Sequence, residues 1–284
     1  MSFTNQIKTV ILLGLLTALL LWVGNLIGGI QGLTVAFIFV IMLNGVSYWF
    51  SDKIVLAMYR AKQVKESEQP ELYKIVKDVS RSAGIPVPKI YMIDAPYSNA
   101  FATGRSKNHA AVAVTKGIMS LLTKDELKGV IAHEISHIKN KDILIQTVAA
   151  TIAGIISYVA MMVRYAAIFG GNRDNRNNSG LELLVLAILT HILATLIKLA
   201  ISRSREYFAD ESGAKLVKTG QGLASALNKL EKEKDNIALK PTSQAQTTAH
   251  MFITNPFRGH SFLSLFMTHP PTSERIKRLK NINF

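Results

Sequence analysis

No charged residue occurs between Lys8 and Asp52. An uncharged, largely apolar run from Thr9 to Ser51 must find a medium other than water, and this constrains the chain more than any other feature. Gly28, Gly29 and Gly32 interrupt the run. Each half is close to the ~20 apolar residues that carry a helix across a bilayer. The pattern therefore predicts a helical hairpin over residues 1–51. A cleaved signal peptide is the competing account of the first half. It requires a small-residue cleavage site and a polar sequence after it, and Leu33–Phe50 follows instead.

A second uncharged run lies between Asp142 and Arg164, again long enough to span. Beyond the polar stretch Gly170–Gly180 comes Leu183–Ile197, interrupted by Lys198 and resumed to Ile201. His191 sits in its middle, and Lys198 has to snorkel toward an interface. This fourth segment either spans or packs as a buried helix beside the third, giving a second hairpin over residues 143–201. Basic residues flank the segments: Lys53, Arg60, Lys62 and Lys65 after the first hairpin, Lys139 and Lys141 before the second, Arg203 and Arg205 after it. The positive-inside rule then puts both termini and the blocks 52–142 and 202–284 in the cytoplasm. Arg164, Arg173 and Arg176, between the third and fourth segments, run against that bias.

Lys and Arg outnumber Asp and Glu by 33 to 19, a balance that suits either nucleic acid or an anionic membrane surface. The charge is distributed around the apolar segments and no recognition module is visible, so a nucleic-acid partner is not expected. Cysteine is absent, which excludes disulfides and thiolate metal sites. A metal here has to be held by imidazole and carboxylate.

Within the polar blocks, Glu68–Ser82 reads as a helix stopped by Gly84 and Pro86. Lys89–Ile93, Ala100–Gly104 and Ala110–Thr115 are short, rich in Ile, Val, Ala and Phe, and predict a small sheet. Thr123 and Glu126 have the spacing of a capping box, opening a helix that runs through His137. Glu206–Leu230 and Thr272–Leu279 read as helices, and Ala238–Thr248 as a loop. The fold class expected is α+β, mostly helical, with about four transmembrane helices and a small β-sheet.

The stretch Ala132-His133-Glu134-Ile135-Ser136-His137 carries the chemistry. Residues four apart share a helix face, so His133 and His137 can bind one metal from adjacent turns. Glu134 beside the first ligand can act as general base. A third ligand is offered by Glu206. The third and fourth segments go out and back, returning Glu206 to the side of the two histidines. Two His and one Glu leave a coordination position open, the arrangement of a catalytic zinc. Asp210, four residues further on, would orient a ligand imidazole. By themselves, Glu206 and Asp210 would read as a solvated acidic pair among Arg203 and Arg205.

These motifs, with Ser98–Gly104 and Thr268-His269-Pro270-Pro271, resemble the HtpX family of bacterial membrane metalloproteases and, more distantly, the CAAX prenyl proteases. The resemblance covers nearly the whole chain. It implies a zincin-like peptidase domain with one zinc ion, an inner-membrane location, and quality control of misfolded or damaged membrane proteins. It also implies two further roles: His269 as a donor to the oxyanion, and Asn99, Ala100, Phe101 and Ala102 as an edge strand to which extended substrate adds. Partners expected are protein substrates and the lipid bilayer.

Two rivals remain beside this reading. An intramembrane-cleaving protease would place its motif inside a span, yet Lys124, Asp125, Glu126, Lys128, Lys139 and Lys141 surround this one. A non-catalytic membrane scaffold or chaperone would use the metal only to pin helices, with a closed coordination sphere. His109, His250 and His260 have no partner at ligand spacing and are read as surface residues.

Overall fold

The structure is a computed structural model that describes residues 3–142, 179–236 and 270–283, with isolated positions between 145 and 163. In chain order its elements are α1 (Phe3–Met58), β1 (Lys62–Gln63), α2 (Pro70–Ala83), β2 (Lys89–Ile93), β3 (Ala100–Ser106), β4 (His109–Thr115), α3 (Lys116–Leu121), α4 (Lys124–Asn140), α5 (Ser179–Val217), α6 (Gln221–Asn236) and α7 (Thr272–Lys280). They divide into two compact units. One comprises residues 1–47 and 145–201; the other comprises 48–144 and 202–284.

The first unit holds the apolar segments. Where the glycines predicted a loop between two helices, helical structure continues through α1. The interruption narrows to Gly29, whose φ of +55° carries no Cβ penalty in a glycine. Between 145 and 163 the described positions are helical, and Ala149, Ile152, Ala153 and Ile156, at offsets of three, four and seven, share one helix face. On that face Ala149, Ile152, Ala153 and Ile156 are buried with Leu20, Ala194 and Ile201. Elsewhere the unit exposes large apolar side chains: Ile30, Val35 and Ile38 on α1, and Val185, Leu189 and Leu193 on α5. A surface of that kind suits lipid rather than water. Among the described residues one segment, Leu184–Val217, is long and apolar enough to cross a membrane. The expected 170–178 and 238–248 loops, with His250, His260 and His269, lie outside the described residues.

The second unit is built on a four-stranded sheet in the order β1-β2-β4-β3. β2 runs parallel to β4, while β1 and β3 pair antiparallel with their neighbours. Among the described residues β3 is thus an edge strand, paired with β4. Its side chains alternate as a pleated strand requires. Ala100 and Ala102 enter the main core with α2, α4 and α6, whereas Phe101 joins Ile93, Ala113 and Tyr59 in a smaller cluster. Gly104 sits at a bulge with φ +126°, where an added Cβ would lie 2.1 Å from the His109 carbonyl oxygen. The strand therefore continues past the glycine that was expected to end it.

Why α4 begins at Lys124 is visible in its cap. Thr123 Oγ1 accepts from the Glu126 N–H, and Glu126 Oε2 accepts from the Thr123 N–H at 2.8 Å, a complete capping box. Glu126 also accepts from Ser225 Oγ and Lys229 Nζ, at 2.7 Å each, which fastens the start of α4 to α6. Two glycines set how closely other helices cross α4. A Cβ on Gly129 would come within 2.5 Å of the Leu223 nitrogen, and one on Gly213 within 2.9 Å of the His133 nitrogen. The second crossing lays α5 directly against the turn of α4 that carries His133.

Candidate metal centre

α4 supplies His133, Glu134 and His137, and all three are buried. α5 supplies Glu206 and Asp210, one turn apart and also buried. The Nε2 atoms of His133 and His137 lie 3.1 Å from each other. Glu206 places Oε2 at 3.6 Å from the first and Oε1 at 3.5 Å from the second.

The opposite ring nitrogens are already engaged. His133 Nδ1 is 2.9 Å from Asp210 Oδ1, and His137 Nδ1 is 2.9 Å from Asp142 Oδ2. A neutral imidazole has one N–H; His137 can place it on the Nδ1 bonded to Asp142, and the carboxylate beside His133 Nδ1 favours the same tautomer, so that both Nε2 atoms are left as acceptors toward a common centre. Each carboxylate is in turn held by a guanidinium. Arg205 donates from Nε and Nη2 to Asp142. Arg275 donates from Nε and Nη2 to Asp210, at 2.8 and 2.7 Å. Two His–Asp–Arg chains therefore converge on one point.

Two observations test whether a metal fits. A tetrahedral ion with bonds of about 2.1 Å spaces its ligand atoms about 3.4 Å apart. The separations here bracket that value, and the three residues form a ligand-competent group among the described residues. Charge gives the second test. Among the described residues the carboxylates of Glu134, Asp142, Glu206 and Asp210 are buried together, and Arg205 and Arg275 pair with three of them. Buried charge needs compensation, which a divalent cation would add to. The residues fit the group.

Without an ion, protons take up part of the imbalance. Burial opposes protonation of His133, but the contacts with Asp210 and Glu206 outweigh it and raise its pKa to about 10. His137 is raised as well, with burial opposing and Asp142 prevailing. Burial raises the Glu134 carboxyl against the lowering effect of the two imidazoles. Glu134 Oε2 also accepts from the Ala102 N–H at 2.8 Å, so the outer backbone edge of β3 faces the centre. The side chains of Asn99, Ala100, Phe101 and Ala102 are buried, and the contact this strand makes with Glu134 is through its backbone.

Peptidase family M48 matches residues 66–283, more than half of the chain. The chain belongs to that family. A protein named Protease HtpX homolog in Syntrophobacter fumaroxidans is 48% identical over 98% of this chain and 99% of its own length. One of the same name in Pyrococcus furiosus is 52% identical, over 97% and 95% respectively. Among solved structures, S. mikatae Ste24p shares the fold with a TM-score of 0.59 at 20% identity. That alignment covers 97% of this chain and 65% of the Ste24p chain. As a member of this family with HtpX relatives of that similarity, the chain is a membrane-associated metalloprotease.

The motif reading reached His133, Glu134, His137, Glu206 and Asp210, and the structure brings all five together. It missed Asp142, Arg275 and the part played by Arg205. Asp142 lies one residue beyond Lys141, the left-handed cap of α4, so it belongs to no helical spacing pattern. Arg275 stands in a helix with Lys277, Arg278 and Lys280, and composition cannot separate the buried cation from its exposed neighbours. His109, read as a surface residue, is exposed beside Ser106 Oγ at 3.2 Å.

Proposed function

We propose that the chain is a zinc endopeptidase, multi-pass in the inner membrane, that cuts misfolded or damaged membrane proteins on the cytoplasmic side. The observation that carries the zinc reading is the convergence of His133 Nε2, His137 Nε2 and Glu206 on one buried point beside Glu134. The topology rests on the basic residues flanking the apolar segments, and the substrate class on the HtpX relatives and the exposed apolar faces of α1 and α5.

When bound, zinc supplies Lewis acidity, polarising a carbonyl and acidifying water. Everything else falls to the protein. Glu134 takes a proton from the attacking water at a carboxylate oxygen and returns it to the leaving amine, and burial strengthens its hold on that proton. The Ala102 N–H fixes the plane of that carboxylate. Asp210 and Asp142 hold the imidazoles in the tautomer that leaves Nε2 available. The unpaired side of β3 offers backbone groups to an extended peptide, which gives affinity with little sequence selectivity. His269, carried here by the family resemblance alone, is the proposed donor to the oxyanion.

The test compares wild type with Glu134→Gln, each stripped by chelator in detergent and given zinc back. Wild type should cleave itself and casein only with zinc. The variant should retain zinc and lose roughly 10²–10⁴-fold in rate, the usual contribution of a general base. Equal cleavage by both proteins, or zinc uptake by both with cleavage by neither, contradicts the mechanism: the metal is then structural or the chemistry lies elsewhere.

A further inference from the structure

We infer that Arg275 is a positioning residue of the metal centre and that it couples docking of the C-terminal helix α7 to metal binding. This rests on the zinc reading above. Arg275 is 1% exposed, although it belongs to a helix whose other basic residues face solvent. Burying a guanidinium is unfavourable unless it is paired, so its partners define its purpose. It grips Asp210 with two hydrogen bonds, and Asp210 Oδ1 is the atom that contacts His133 Nδ1. Its remaining nitrogen, Nη1, lies 3.7 Å from Glu206 Oε2. One cation is therefore tied to two of the three proposed ligands, to His133 through Asp210 and to Glu206 directly.

Arg205 plays the corresponding part for His137 through Asp142, but it precedes Glu206 on the same helix. Arg275 differs because α7 contributes no ligand of its own. The helix is seated by contacts that do not involve the centre. Thr272 Oγ1 donates to Glu231 Oε2 at 2.8 Å, Arg278 stacks 3.8 Å from the Tyr207 ring centre, and Leu279 is buried in the core. At the N-terminal side of α6, Gly220 has space for no Cβ against the Leu279 carbonyl, 2.4 Å away. These contacts fix where Arg275 enters. Binding of the metal and seating of α7 then favour each other, as linkage requires.

The sign of one measurement separates positioning from charge compensation. Removing a cation beside a divalent ion strengthens the field the ion feels, so a compensating Arg275 predicts equal or tighter zinc binding by Arg275→Met. A positioning Arg275 predicts weaker binding, by about 10–100-fold, the usual effect of losing a group that orients a ligand. Zinc affinity is measured in detergent by competition with a chromophoric chelator. Arg275→Lys, which keeps the charge and loses the two-pronged grip, should bind zinc more weakly than wild type as well, and it serves if the Met variant does not fold. Leu279→Ala loosens α7 without touching the centre; through the linkage it should lower the melting temperature and weaken zinc binding in a chain that keeps Arg275, and weaken it no further in Arg275→Met. Added guanidinium at millimolar concentration should restore part of the affinity of Arg275→Met. The inference is overturned if both Arg275 variants bind zinc as tightly as wild type, or if Leu279→Ala leaves zinc affinity at the wild-type value. A wild type that takes up no zinc overturns the zinc reading and this inference with it.

Discussion

Asp142 and Asp210 each spend one carboxylate oxygen on a histidine and the rest of their capacity on an arginine. The His133 pKa follows from that arrangement. Its folded value, about 10, lies above the ordinary 6.5, so its protonation stabilises the metal-free protein fully below about 6.5. That contribution is lost as pH rises toward 10. Metal and proton compete for the same nitrogen, so zinc binding strengthens over the same interval. The difference in melting temperature between zinc-loaded and chelated protein should therefore grow from pH 6.5 to 9. A difference that shrinks with pH would contradict it. Asp142→Asn should weaken zinc binding by about 10–100-fold, read by chelator competition, because the one amide oxygen cannot accept from both Arg205 and His137 and the countercharge of Arg205 is gone. His133, Glu134 and His137 were legible in the sequence because their geometry is local, one helix and a spacing of four. Arg275 was not, because its partner Asp210 is 65 residues away and only the folded chain brings the two together.

At the scale of elements, the capping box at Thr123 and the strand Lys89–Ile93 were readable because a cap and a short β-rich run are signals within a few residues. The close crossings of α4 were not, since a glycine admitting a neighbouring helix looks like any other glycine in a sequence. Gly213 is one of these. In Gly213→Ala the new Cβ meets the backbone at Ala132 and His133, which cannot swing aside as a side chain tip does. The variant should lose about 1–3 kcal/mol of stability and bind zinc less tightly, because α5 carries Glu206 away from the histidines. An unchanged melting temperature would show that the helices part without cost. Glu126 makes a complementary case. Burial raises its carboxyl, but Lys229, Ser225 and the Thr123 cap outweigh this and hold its pKa at about 2. Its contribution is thus present above the ordinary 4.5 and lost as pH falls through 2. Glu126→Gln should flatten the acid limb of the stability curve over that window, measured by far-UV circular dichroism.

For the whole molecule, the division into an apolar unit and a sheet-bearing unit follows the charge pattern of the sequence. The two blocks of the second unit are separated in the chain by apolar segments, and that unit receives His133 from one block and Glu206 from the other. The break at the glycines was legible only in part, since helical structure continues through them with Gly29 alone left-handed. A divalent ion held where two distant blocks meet would stabilise the folded state, so zinc at a hundredfold excess over its dissociation constant should add about 2.7 kcal/mol of stability. The central claim is that His133, His137 and Glu206 hold that ion. X-ray absorption at the zinc edge of the loaded protein tests it most directly, with His133→Ala and Glu206→Ala alongside. Four light-atom neighbours at about 2.0–2.1 Å, two with imidazole scattering in wild type and one in His133→Ala, with no zinc retained by Glu206→Ala, is the result expected. Six oxygen neighbours, or a wild-type spectrum unchanged by either substitution, would place the metal elsewhere.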